Sequence, residues 1–198
     1  MPPLTRPLAI VLVVASLLAG LAVAVEPAPG STTIRVHGKD FSSAVKVGDE
    51  VLEFRGGGLL EWFIWDVYTA ALYLPKDVPS RPGEILGKQP AYLVIEYQRH
   101  IKAEDFVKAT KKGLEKNPGT PWKEIDPQLR KLYKMYEDIK PGDRYGIAVT
   151  SDGNTEIRLN GELRGTFEGR AFSEAFLGIW ISDHSLKPSF RDKLLGLR

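Results

Sequence analysis

The sequence contains no cysteine and only three histidines among its 198 residues. Without cysteine there is no disulfide, no thiolate metal site, no thiol nucleophile and no Cys-pair redox chemistry, so stability has to come from packing. A lipid-modified amino terminus is excluded on the same ground, because Leu18-Ala19-Gly20 is followed by Leu21 where the modified cysteine would stand. His37, His100 and His184 lie far apart with no two-ligand spacing, so no metal site is expected. Charge of one sign is also lacking: 27 Lys and Arg against 25 Asp and Glu leave a formal charge of +2, which argues against a general nucleic-acid footprint. There is no internal repeat and no low-complexity block. Gly56-Gly57-Gly58 lacks the Lys-Ser/Thr of a phosphate loop and reads as a bulge or tight turn, and no cofactor is expected.

What is present begins with Arg6 ahead of an apolar run, Leu8 to Val25, that closes in Ala22-Val23-Ala24. Residues 1–24 therefore read as a secretory signal peptide with cleavage expected after Ala24, and the body as periplasmic or secreted. The run is close to the ~20 residues that span a bilayer, so retention as an inner-membrane anchor is the alternative. Residues 25–33, which include Glu26-Pro27-Ala28-Pro29-Gly30-Ser31, read as a linker, and 34–197 as one domain able to bury a single core.

Within that domain the periodicity changes several times. Ile34 and Val36 alternate with polar residues, as do Val45 and Val47, and Gly48-Asp49 turns into Val51–Phe54. The aromatic and β-branched run Trp62 to Leu74 predicts one long central strand, and Leu93, Ile95 and Tyr97 alternate on another. Phe106, Val107, Thr110 and Leu114 then fall at helical spacing, predicting a helix over 103–116 stopped by Asn117-Pro118-Gly119. A second helix is expected to start at Asp126, with Pro127 at its first position and Leu129, Leu132, Tyr133 and Tyr136 as its buried stripe. Tyr145, Ile147 and Val149, the turn Ser151–Asn154, Ile157 and Leu159, and the tight-turn pair Asn160-Gly161 predict a three-stranded meander. A helix over 171–182 with Phe172, Ala175, Phe176, Ile179 and Trp180 on one face, and a short helix from Pro188 closing at Gly196, complete the chain. Strands, helices, strands and helices in this order indicate an α+β fold: an antiparallel sheet covered on one face by helices.

Two segments are the most distinctive. The first is Gly56-Gly-Gly-Leu-Leu-Glu-Trp-Phe-Ile-Trp-Asp-Val-Tyr-Thr-Ala-Ala-Leu-Tyr-Leu-Pro75, and the second runs from Ala171-Phe-Ser-Glu-Ala-Phe-Leu-Gly-Ile-Trp180 to Gly196. Together with the Asn-Gly turn and the order of elements, the chain resembles the chalcone isomerase-like family in its bacterial exported branch. That resemblance implies an open-faced β-sandwich. It also implies where a cleft would lie, because the Arg, Thr, Tyr, Asn and Thr/Ser used by the family's enzymes fall at or near Leu60, Tyr68, Phe106, Gly113 and Ile179. None of these keeps the catalytic side chain. Closing a ring by phenolate attack on an enone needs positive charge near the nucleophile and donors at the developing enolate, and each lost donor costs on the order of a hundredfold in rate.

The same replacements make the implied cleft apolar, which suits a small apolar or amphipathic ligand; some relatives bind fatty acids. A carboxylate head would need Arg55 or another basic side chain. The competing readings are an isomerase or intramolecular lyase on an unknown substrate, using Tyr68 with Asp66 or Arg55, and a structural or interaction module in which Leu60, Tyr68, Phe106 and Ile179 are solid core. Asp66 alternates with Tyr68 and is expected on its side of the strand, as a base or as a solvated carboxylate. Lys108, Lys111, Lys112 and Lys116 read as a solvated helix face that is also suited to anionic lipid, and Trp62, Trp65 and Trp122 as large aromatics near the cleft mouth or packed on strands. The membrane is a partner only if the amino-terminal segment is retained, and the sequence leaves the oligomeric state open.

Overall fold

The computed structural model describes residues 24–198; the signal-peptide reading falls on 1–24 and so lies, but for Ala24, outside the described residues. Among the described residues ten strands and five helices follow one another. They are β1 (Val25–Pro27), β2 (Thr33–Val36), β3 (Lys39–Ser42), β4 (Ala44–Val47), β5 (Glu50–Trp62), β6 (Trp65–Leu74), α1 (Pro82–Ile85) and β7 (Ala91–Tyr97). Then come α2 (Ala103–Glu115), α3 (Trp122–Met135), β8 (Arg144–Val149), β9 (Thr155–Leu159), β10 (Glu162–Phe167), α4 (Arg170–Ile181) and α5 (Pro188–Leu194). Eight strands form one antiparallel sheet in the order β1-β4-β5-β6-β7-β8-β9-β10, and β2 and β3 pair as a separate hairpin.

The period-2 alternation of β6 shows how the two faces are used. Ala70, Leu72 and Leu74 join Leu93, Ile95, Ile147 and Ile157 in the large core under the helices. Ala71 and Tyr73 point the other way and pack with Phe41, Val45, Leu52, Val94 and Ala148 beneath the β2–β3 hairpin. The helices thus cover one face, as expected, while the small hairpin shields part of the other. On that second face Glu96 is buried, 2.7 Å from Lys39 Nζ and held by the guanidinium of Arg144, which also donates to the Asp40 carbonyl. Burial alone would raise the Glu96 pKa, but the hydrogen bonds from Lys39 and Arg144 outweigh it and hold the carboxyl below its ordinary range.

Three expectations need correction. The run Trp62 to Leu74 is not one strand: the chain reverses at Phe63-Ile64, so Trp62 ends β5 and pairs with Trp65 at the start of β6. The second long helix starts at Trp122, not Asp126, because Ile125 is needed in the core; Pro127 sits inside the helix and Asp126 pairs with Arg130 one turn on. The stretch 25–33 is not free linker, since Val25–Pro27 adds to the sheet edge against Val45–Val47.

The glycine triplet lies within β5, where the register slips between Phe54 and Gly56. Gly56 is required by close approach: a Cβ there would stand 2.2 Å from the Lys193 carbonyl oxygen and 2.8 Å from the Gly196 nitrogen. Gly196, at φ +68°, ends α5 in the left-handed region, and Leu194 and Leu195 are fully buried beside it.

Candidate functional site

A cavity of about 790 Å³ lies between the helix-covered face of the sheet and α2, α4 and the residue following α3, open to solvent. Its floor is a row across three strands, Leu60 opposite Tyr68 and Tyr68 opposite Tyr97, continued by Ile95, Tyr145, Ile147 and Ile157. Phe106 and Thr110 from α2, Tyr136 just beyond α3, and Phe176, Ile179 and Trp180 from α4 supply the roof. An empty sealed void of this size, at ~24 cal/mol per Å³, would cost on the order of 20 kcal/mol, more than the ~5–15 kcal/mol by which a domain is stable. This space is open to solvent at the mouth and so need not stand empty.

Two pairs of polar groups in the wall satisfy each other. The Trp180 indole Nε1–H donates to the Tyr68 hydroxyl at 3.1 Å, and the Thr110 and Tyr136 hydroxyls are hydrogen-bonded at 2.8 Å. Phe106 stacks on Tyr136 and meets Tyr97 and Tyr145 edge-on at centroid distances of 5.4 Å. Among the described residues, the Tyr145 hydroxyl in this lining is buried without a hydrogen-bond partner. Burial pushes the phenols of Tyr68, Tyr97 and Tyr136 well up and that of Tyr145 to about 12. A phenol so placed donates or accepts a hydrogen bond but is no base near neutral pH, and no guanidinium of the described residues lines the cavity.

Charge is confined to the mouth. Lys112, Lys116 and Lys187 line it together with Glu61 and Asp105, and Asp105 is already engaged by Lys108 at 3.0 Å. Lys187 Nζ donates to the Glu61 carbonyl at 2.9 Å, and Lys116 Nζ to the Leu186 carbonyl at 3.2 Å. The arrangement is an apolar chamber with ammonium groups at its entrance.

Four of the expected cleft positions, Leu60, Tyr68, Phe106 and Ile179, do line this chamber. Gly113 does not: a Cβ there would lie 2.7 Å from Ile179 Cγ2, so this glycine lets α2 close on α4 and sets the roof without touching the interior. Arg55 is elsewhere, because the slip at Phe54/Gly56 turns it outward, where it donates to Ser80 Oγ and to the carbonyls of Pro75 and Lys76. Asp66 is exposed at the hairpin and does not share the chamber with Tyr68. Of the tryptophans, Trp62 borders the mouth, Trp65 lies under Arg99 at the hairpin, and Trp122 opens α3. The rim lysines and Tyr97 were not singled out as site residues. Their signal is helical and strand period: Asp105, Ala109, Lys112 and Lys116 form a stripe next to Phe106, Thr110 and Gly113, and Tyr97 ends the inward alternation of Leu93 and Ile95.

Comparison with known proteins agrees with this architecture. A solved structure of a fatty-acid binding protein from Arabidopsis thaliana superimposes with a TM-score of 0.65 at 12% identity, covering 84% of this chain and 97% of that one. An uncharacterized protein of Haemophilus influenzae is 22% identical over 144 residues, 71% of this chain, and the match spans 66% of that relative's length. The family model described as chalcone isomerase-like matches residues 33–196, nearly the whole described chain, and the protein belongs to that family.

Proposed function

We propose that this is an exported, non-catalytic binding protein that holds a small apolar or amphipathic, fatty-acid-like molecule between sheet and helices. The observation that carries the reading is the chamber of about 790 Å³ whose wall is mostly hydrocarbon with a few phenolic and alcoholic hydroxyls and whose described cations stand at the entrance. An acyl chain gains ~0.8 kcal/mol for each methylene taken from water, and a carboxylate left at the mouth meets Lys112, Lys116 and Lys187. The similarity to a fatty-acid binding protein supports the ligand class, and the continuous space argues against a solid-core module. Export is supported by Arg6, the apolar run and Ala22-Val23-Ala24.

The test is titration of delipidated protein with a fluorescent polyene fatty acid, beside the Ala109→Trp variant. Ala109 is exposed yet borders the mouth, so an indole there obstructs entry without touching the core. Saturable binding by the native protein, weakened at least about tenfold (~1.4 kcal/mol) in the variant at equal thermal midpoint, is expected. No saturable binding, or binding that ignores the indole, refutes the reading.

A further inference from the structure

Four consecutive large apolar residues form the tip of the β5–β6 hairpin and face solvent: Trp62, Phe63, Ile64 and Trp65 are 60, 88, 85 and 55% exposed. Phe63 carries φ +55°, a conformation that suits glycine or asparagine and is strained for a bulky side chain. The same chain makes its β9–β10 turn with Asn160-Gly161, both at positive φ, which is the relaxed solution. A strained turn of exposed hydrocarbon, beside a relaxed one in the same sheet, is maintained for contact with something apolar.

Cations surround this tip. Arg99 lies over the Trp65 ring at 4.3 Å and Lys112 over the Trp62 ring at 5.6 Å, while Lys187 and Lys116 stand on the adjoining rim. The carboxylates nearby are Glu61 and Asp66 on the hairpin and Asp105 on α2, the last paired with Lys108. Tryptophan with lysine and arginine around an apolar wedge is the composition of a membrane–water interface, where the rings sit at headgroup level and the ammonium groups reach lipid phosphates. A convex tip of four side chains falls well short of the ~800 Å² per partner that a stable protein pair needs, and a second copy would bring the same cationic collar against itself. A wedge into a bilayer requires only the tip.

We propose that the β5–β6 hairpin docks this protein on anionic phospholipid bilayers, with Trp62 to Trp65 inserted among the headgroups and Lys112, Lys116, Lys187 and Arg99 on lipid phosphates. Trp62 and Phe63 belong both to the tip and to the cavity mouth, so docking sets the entrance at the level where acyl chains leave the bilayer. What passes through the mouth rests on the binding reading above; the docking itself does not.

The test is cosedimentation of the whole protein with vesicles of phosphatidylcholine alone or containing phosphatidylglycerol at three parts in ten, beside the Ile64→Asp variant. Ile64 is at the apex and outside the cavity wall, and any amino-terminal contribution is common to both proteins. Expected are binding to the anionic vesicles that weakens with salt, a loss of at least tenfold in the variant, quenching of tryptophan by brominated lipid in the native protein only, and unchanged thermal midpoint and fatty-acid titration in solution. Equal vesicle binding by both proteins, no preference for the anionic vesicles, or a self-association that Ile64→Asp abolishes overturns the proposal. Docking that persists while the fatty-acid titration fails sinks the binding reading alone, and the reverse sinks docking alone.

Discussion

The indole of Trp180 donates to the hydroxyl of Tyr68 across 3.1 Å, tying α4 to β6 at the wall of the cavity. Tyr68→Phe leaves that buried N–H without its acceptor and should cost about 1 kcal/mol in denaturant unfolding. Fatty-acid affinity should change by less than about twofold, because the apolar area offered is the same. A large loss of affinity would make Tyr68 a ligand contact instead of a wall brace.

The cavity phenols determine the alkaline behaviour. Their folded pKa values lie above the unfolded value of 10.0, that of Tyr145 at about 12. Between those values the unfolded chain holds fewer protons than the native one, so the contribution is complete below pH 10 and is lost as pH rises through the folded values. Phenolate absorbance near 295 nm should therefore lag behind that of free tyrosine and then rise together with loss of the circular-dichroism signal.

Glu96 sets the opposite limb. Its carboxyl titrates below its ordinary 4.5, so the stabilisation is complete above that value and is lost as pH falls through the lower folded value. Glu96→Gln should lower stability at pH 7 by about 1–2 kcal/mol and flatten the fall in thermal midpoint between pH 6 and 3.

Two glycines test packing against capacity. At Gly56 an added methyl meets backbone on α5, which has nowhere to go, and Gly56→Ala should cost more than about 3 kcal/mol. At Gly113 the obstacle is the Ile179 side chain, which borders open volume and can turn into it. There the strain is offset by the ~1 kcal/mol helix preference of alanine over glycine. Gly113→Ala should be nearly neutral in stability yet narrow the chamber, shown by weaker binding of long acyl chains than of short ones.

Lys112, Lys116 and Lys187 locate the ligand's head. Replacing all three by alanine should weaken a fatty acid several-fold, roughly 1 kcal/mol at these solvated positions, and leave its methyl ester unaffected. Equal effects on acid and ester would put the head inside the chamber, among its phenols.

Much of this was legible because local rules and tertiary structure agree. The meander from Tyr145 to Phe167 follows from alternation and from Asn160-Gly161, and α2 ends within a residue of its expected stop because Asn117-Pro118-Gly119 leaves no alternative. The hairpin at Phe63-Ile64 was not legible, since neither residue favours a turn; neighbouring strands impose the reversal. The start of α3 was missed because burying Ile125 outweighs the preference of Pro127 for a first turn. For the site, the resemblance to the chalcone isomerase-like family, not periodicity, placed Leu60, Tyr68, Phe106 and Ile179 at one cleft, and all four line the chamber. The bulge in β5 that turns Arg55 away has no one-dimensional signature beyond its glycines. Gly113 misled for a different reason, since family position carries no information on whether a glycine faces a void or a neighbouring helix.

The seat that Gly56 offers to Lys193–Gly196 ties an early strand to a segment synthesised much later. A polypeptide threaded outward with its amino end leading presents β5 first and must wait for Leu194 and Leu195 before that side of the interior can shut. Under the export proposed above, that order of closure would keep the chain loose for a translocation channel until its carboxy-terminal end had passed.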